Sequence, residues 1–109
     1  MTRLEAAAFL ERVGSFEAER QKNVLITARH QDREELQKLV RLFGGDISGP
    51  SHGLLEWRLE GEPARKTMQS LHDLMSPRRQ AEINHALEIY RAHCHWLPLE
   101  NPRGSKERG

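Results

Sequence analysis

Apolar residues recur along this chain in two rhythms, one of three to four positions and one of two, and their order predicts its elements. Leu4, Ala7, Ala8 and Phe9 or Leu10 fall at helical spacing, and Gly14 ends that pattern. From Ser15 to Glu19 the residues alternate, Gln21-Lys22-Asn23 is polar and turn-like, and Val24 to Thr27 is rich in β-branched side chains. Two short strands joined by a tight turn account for this stretch. A second helix starts at Gln31 or Asp32, with Leu36, Leu39, Val40 and Phe43 on one stripe and charged residues opposite. Gly44-Gly45 stops it, since glycine takes a left-handed cap conformation without steric penalty. A second hairpin follows: Asp46 to Ser48, a turn-rich Gly49 to Gly53, then Leu55, Trp57 and Leu59 alternating with Glu56, Arg58 and Glu60. Pro63 suits the first turn of a third helix with the stripe Ala64, Met68, Leu71 and Met75. Pro77 punctuates, and a last helix carries Ala81, Ile83, Ala86, Leu87 and Tyr90.

The predicted order is αββαββαα. Two successive hairpin-plus-helix units imply an α+β domain, with a four-stranded antiparallel sheet backed by helices and one open concave face. An uncovered antiparallel face is a candidate binding surface. The length of 109 residues supports one domain, read as residues 1–96, with 97–109 as a flexible C-terminal tail rich in proline, glycine and charge.

Charge changes the picture little: 17 Lys and Arg face 16 Asp and Glu, so attraction to nucleic acid or lipid has to come from local placement. The longest apolar run, Ala6 to Leu10, is far below the roughly 20 residues of a membrane span, and no signal peptide is evident. A single cysteine, Cys94, excludes an internal disulfide framework and a cysteine-rich zinc site. The expected location is intracellular, cytoplasmic or nucleoid-associated. His93-Cys94-His95 suggests a metal cluster, but neighbouring helical residues point about 100° apart and cannot converge on one ion. His30, His52, His72 and His85 show no ligand spacing, and Trp57, alternating with leucines, reads as core. No metal site and no cofactor are expected.

The segment Ala7-Ala8-Phe9-Leu10-Glu11-Arg12-Val13-Gly14-Ser15-Phe16 resembles a degenerate form of the motif that names the LAGLIDADG homing endonucleases. There, a helix with small residues runs into an acidic residue, and Gly-Ser-Phe or similar begins the first strand. Leu39-Val40-Arg41-Leu42-Phe43-Gly44-Gly45, Trp57 in the fourth strand and Arg79-Gln80-Ala81 after Leu74 extend the resemblance from about Leu4 to Tyr90. It implies a single-unit, homodimer-type member in which two first helices pack closely and two sheets form a saddle over the DNA major groove. Close helix approach needs small side chains, so Leu4, Ala7 and Ala8 are the expected dimer interface.

The catalytic positions implied by the resemblance are degenerate. The acid before the glycine, which binds divalent metal in the family, is Val13, and valine offers no oxygen. The polar residue near the end of the second strand falls at Ala28, and the late basic residue at Pro77. Glu11 is the fallback acid, but residues two apart on a helix do not share a face. If Phe16 and Ala18 face the core, the expected DNA-facing residues are Ser15, Glu17, Glu19, Gln21, Lys22, Arg29, Glu56 and Arg58. The expectation is a catalytically inactive homodimer binding double-stranded DNA, as a regulator or a remnant of a mobile-element nuclease. Two alternatives stay open. One is an interaction module whose acidic sheet face meets a basic protein; the other is an active endonuclease that uses Glu11 and Mg²⁺.

Overall fold

A computed structural model of the chain describes the backbone of residues 1–18 and 23–96, with side chains up to Arg91. Its elements are α1 (Arg3–Val13), β1 (Gly14–Ala18), β2 (Val24–His30), α2 (Arg33–Phe43), β3 (Asp46–Ser51), β4 (Leu54–Glu60), α3 (Glu62–Leu71) and α4 (Pro77–Trp96), with one 3-10 turn at His72–Leu74. The αββαββαα order and the α+β class are as the apolar rhythm predicts. The four strands form one antiparallel sheet in the order β1-β2-β4-β3. No helix among the described residues is long and apolar enough to cross a membrane.

Local chemistry explains most boundaries. Thr2 caps α1 by accepting from Glu5 N at 3.1 Å, while the Glu5 carboxylate accepts from Thr2 N at 2.8 Å. This reciprocal pair satisfies two backbone donors that a helix start leaves open. Asp32 caps α2 with a single hydrogen bond, accepting from Glu34 N at 3.0 Å. Pro77 is the first residue of α4, so this proline begins a helix where its missing N–H is harmless. Gly14 lets α1 run straight into β1, since a Cβ there would stand 2.7 Å from Leu10 O. Gly45 is required twice over. Its φ is +95°, and a Cβ would meet Arg58 O at 2.6 Å and the Trp57 indole nitrogen at 2.8 Å.

One face of the sheet is core. Phe16, Val24, Ile26, Ala28, Leu55, Trp57 and Leu59 point into it and meet Ala6, Ala7, Phe9 and Leu10 of α1, Leu36 and Leu39 of α2, Met68 and Leu71 of α3, and Ile83 and Ala86 of α4. All four helices therefore lie on one side, and no described helix covers the opposite sheet face. Trp57 is fully buried, and its indole N–H donates to Gly44 O at 2.8 Å, closing the C-terminal end of α2. As the alternation with leucines predicts, it is a core residue.

Three local expectations are corrected. The second turn is tighter than its glycines and proline suggest. Gly49, Pro50 and Ser51 belong to β3, with an irregularity between Ser48 and Ser51, and the reversal is at His52–Gly53. Proline is tolerated there because β3 is an edge strand. On α1 the buried residues are Ala6, Ala7, Phe9 and Leu10, whereas Leu4 and Ala8 are exposed. Ala7 is thus enclosed by its own chain and is not on a surface that could meet a second copy. On α4, Ala81 is exposed, and Arg79 takes an inward position instead.

Candidate nucleic-acid interface

Strand alternation and register assign the described side chains of the open face, with exposed Leu54 on the same side of β4 opposite Ser51. Three cross-strand rows run over it. The first is Glu17–Leu25–Glu60, the second Ser15–Thr27–Arg58–Asp46, and the third Arg29–Glu56–Ser48. Ser15, Glu17, Arg29, Glu56 and Arg58 are therefore brought to one surface, as the alternation predicts. Glu19, Gln21 and Lys22 lie outside the described residues. Thr27, Leu25, Asp46 and Ser48 were not singled out from the sequence. Extending the two-residue period through β2 and β3 is the signal that finds them.

Among the described residues the face carries four carboxylates, Glu17, Asp46, Glu56 and Glu60, against two guanidiniums, Arg29 and Arg58. Arg29 Nε lies 3.5 Å from Glu56 Oε1, and Arg58 Nε donates to Glu60 Oε2 at 2.8 Å. Ser15 Oγ donates to Glu17 Oε2 at 2.8 Å. Exposed ion pairs of this kind contribute little to stability, about 0–1 kcal/mol each, so their interest is in what they present. Leu25 differs from the rest. It lies on the open face yet is almost wholly buried, between Glu17 and Glu60.

A second cluster surrounds the C-terminal end of α1. Gly14 stands opposite Ala28 in the register, and Glu11 reaches the start of α4. The fold thus gathers Val13, Ala28 and Pro77 around one helix end, with none of them supplying a carboxylate or an amine. Val13 packs partly against the core. Ala28 points into the core beneath the sheet, opposite Gly14 in the register. Pro77 is exposed on the first turn of α4.

Glu11 is turned toward the start of α4. Its Oε1 accepts from Ser76 N at 2.9 Å and its Oε2 from Ser76 Oγ at 2.7 Å. Ser76 in turn caps α4, its Oγ accepting from Arg79 N at 3.3 Å. Arg79, buried, donates through Nε and Nη2 to the backbone oxygen of Glu11 at 3.2 and 3.0 Å, and through Nη1 to Glu82 at 2.8 Å. One of the last carbonyls of α1, which would otherwise lack a partner, is thereby closed. The Ser76 hydrogen bonds, backbone first, hold the Glu11 carboxyl below its ordinary range, with Arg79 and Arg78 adding to the effect. Glu11 is a brace between α1 and α4.

This donor set does not fit a divalent metal. Val13 has no oxygen, both oxygens of Glu11 are held by Ser76, and no group of three His, Cys, Asp or Glu is placed to hold an ion among the described residues. The side chains of His93, Cys94 and His95 lie outside the described set, although their backbone is helical.

No protein-family model matches the sequence, and no curated protein matches it. Solved structures do match. The homing endonuclease I-CvuI, in complex with the I-CreI target DNA and magnesium with the DNA not cleaved, superposes with a TM-score of 0.70 at 17% identity over 82% of this chain and 65% of its own. I-SmaMI bound to its uncleaved DNA target with calcium gives 0.67 at 16% identity, over 87% and 39%. The LAGLIDADG meganuclease I-AabMI bound to uncleaved DNA gives 0.66 at 12% identity, over 88% and 38%. The chain spans less than two thirds of the length of each of these proteins. Likeness at this identity establishes the fold, that of the LAGLIDADG homing endonucleases.

Proposed function

With that fold as the premise, we propose that this chain binds duplex DNA with its open sheet face, as one half of a two-copy saddle, and does not cut it. The uncovered four-stranded face carries the reading, because it is the surface left unpacked in a fold whose solved examples hold DNA. The donor set at the end of α1 supports the lack of cutting, since Val13 brings no oxygen and the Glu11 carboxylate is turned to Ser76. In this reading the protein is a regulator or a remnant of a mobile-element nuclease, working inside the cell.

The excess of carboxylates among the described residues of the same face favours a second reading, an interaction module for a basic protein. One titration separates the two. On a random duplex library at low salt, the chain is expected to retain DNA with an affinity that falls steeply as salt rises, and to leave it intact with Mg²⁺ or Mn²⁺. Glu17→Gln removes a charge that repels phosphate, so it is expected to tighten DNA binding severalfold while leaving the salt slope unchanged. No retention of duplex, together with a basic partner whose binding Glu17→Gln weakens, would overturn the DNA reading.

The paired copies are proposed to meet through the outward side of α1. With Ala7 buried, that side narrows to Leu4, which is 65% exposed, and Ala8 one turn later. Arg12, the next residue along it, leans over the Phe9 ring at 5.8 Å from its centroid. A bulky side chain at a close helix crossing costs about 1–3 kcal/mol, and a symmetric pair meets it twice. Ala8→Phe is therefore expected to yield monomers in sedimentation at micromolar concentration. A wild-type chain that is itself monomeric there would remove the pairing.

A further inference from the structure

The two described arginines of the open face do not stand alone; each is set beside a glutamate. Arg29 and Glu56 are cross-strand neighbours on β2 and β4, while Arg58 and Glu60 are two apart on β4 and share its outward side. Each couple therefore sets a cationic guanidinium within one side-chain width of a pure acceptor, and Arg58 has a further contact besides Glu60. Their charges cancel, so neither couple adds to the repulsion of a phosphate backbone. Arg29 is 70% exposed and pairs through Nε, the donor nearest the chain, so its terminal fork of Nη1 and Nη2 is the part that reaches outward. Arg29 and Glu56 also form one wall of a recess of about 390 Å³, completed by Ser48, Ser51, His52 and Leu54.

A G·C base pair presents the matching pattern in the major groove. Guanine offers two acceptors, N7 and O6, and cytosine beside it offers the N4 donor. An A·T pair presents one acceptor and one donor on adenine and a second acceptor on thymine, with no donor on the partner base for a carboxylate. We propose that the open face reads G·C pairs through these two arginine–glutamate couples, the arginine on guanine and the glutamate on cytosine. This rests on the duplex-binding reading above and names the sequence class that it would select. The couples are centred about three residues apart along β4, roughly 10 Å at the rise of a strand. A strand laid along the major groove sets them about three base pairs apart.

The test is selection from a random duplex library at low salt with the full chain, its Arg29→Ala variant and its Glu56→Gln variant. Arg29 and Glu56 are at the surface, and unchanged melting temperatures verify that both variants fold. The wild type is expected to recover duplexes with two fixed G·C pairs about three base pairs apart in each half-site. Arg29→Ala is expected to lower the preference at one of these pairs by about tenfold and to leave the other intact. Glu56→Gln is expected to relax the same pair. Fixed A·T pairs at these positions, or an Arg29→Ala variant that weakens binding equally for all sequences, would overturn the proposal while sparing duplex binding. Recovery of no duplex by the wild type would overturn both.

Discussion

Replacing Arg79 by methionine is expected to lower the stability of the domain by about 2–4 kcal/mol. Methionine keeps most of the buried stem, so the loss isolates the guanidinium. Hydrogen bonds to charged groups contribute about 1.5–3 kcal/mol, and Arg79 makes three contacts that no neighbour can replace, two to Glu11 O and one to Glu82. The backbone oxygen of Glu11 would be left without a partner at the helix end, while Glu82, partly exposed, would return to water. For a domain of this size the melting temperature is expected to fall by roughly 10 °C or more. A drop under about 3 °C would mean that the guanidinium does not hold α1 to α4.

The carboxylate on the other side of this junction supplies a pH signature. The folded state favours ionised Glu11, and its pKa lies below the ordinary value of 4.5. Stability from this group is therefore fully present above that value and is lost as pH falls through the depressed pKa. Comparing the wild type with Glu11→Gln isolates it, since other acids titrate equally in both. The difference in stability is expected to shrink below about pH 4.5.

The second large effect is expected at Val13. Val13→Asp exchanges a partly packed methyl pair for a carboxylate, so without metal the variant is expected to melt below the wild type. At about 100° per residue Val13 lies well round α1 from Leu4 and Ala8. The two new carboxylates therefore approach each other only if the paired helices converge at their C-terminal ends, where like charges held together favour a cation between them. Added Mg²⁺ is expected to restore stability by up to about 2.7 kcal/mol when the metal is at a hundred times its dissociation constant. The wild type is expected to show no such response. Activity need not return, because Ala28 and Pro77 still bring no polar groups to this helix end. A variant whose melting is indifferent to Mg²⁺ would place residue 13 away from any seam between copies.

The sequence was most legible where a residue's fate depends on near neighbours. Leu55, Trp57 and Leu59 alternate with charges, and the register places them inward as that alternation requires. The Asp32 cap and the Gly44-Gly45 stop depend on a few consecutive residues, and both boundaries are found where they were expected. On α1 the signal failed because alanine is equally at home on either side of a helix. Ala6, Ala7 and Ala8 differ only in which neighbours the fold brings to them. The Glu11–Ser76–Arg79 network was beyond local reading for the same reason, since it joins residues 65 and 68 apart in sequence. Gly49-Pro50 misled through a general rule, because glycine and proline mark turns more often than edge strands.

The strand order also sets how the chain must fold. Each hairpin closes over a few residues, but the middle of the sheet joins β2 to β4, with Ile26 opposite Leu59. Before those pairs can form, the chain has to close a loop of roughly thirty residues and lose the corresponding entropy. Such non-local pairing is the slow event in mixed α/β domains, later than helices and hairpins. The barrier therefore lies at the meeting of the two hairpin-plus-helix halves. Until they meet, β2 and β4 are both bare edges, and bare edges recruit other chains. A truncation that removes either half is thus a route to aggregation as well as to loss of the binding face.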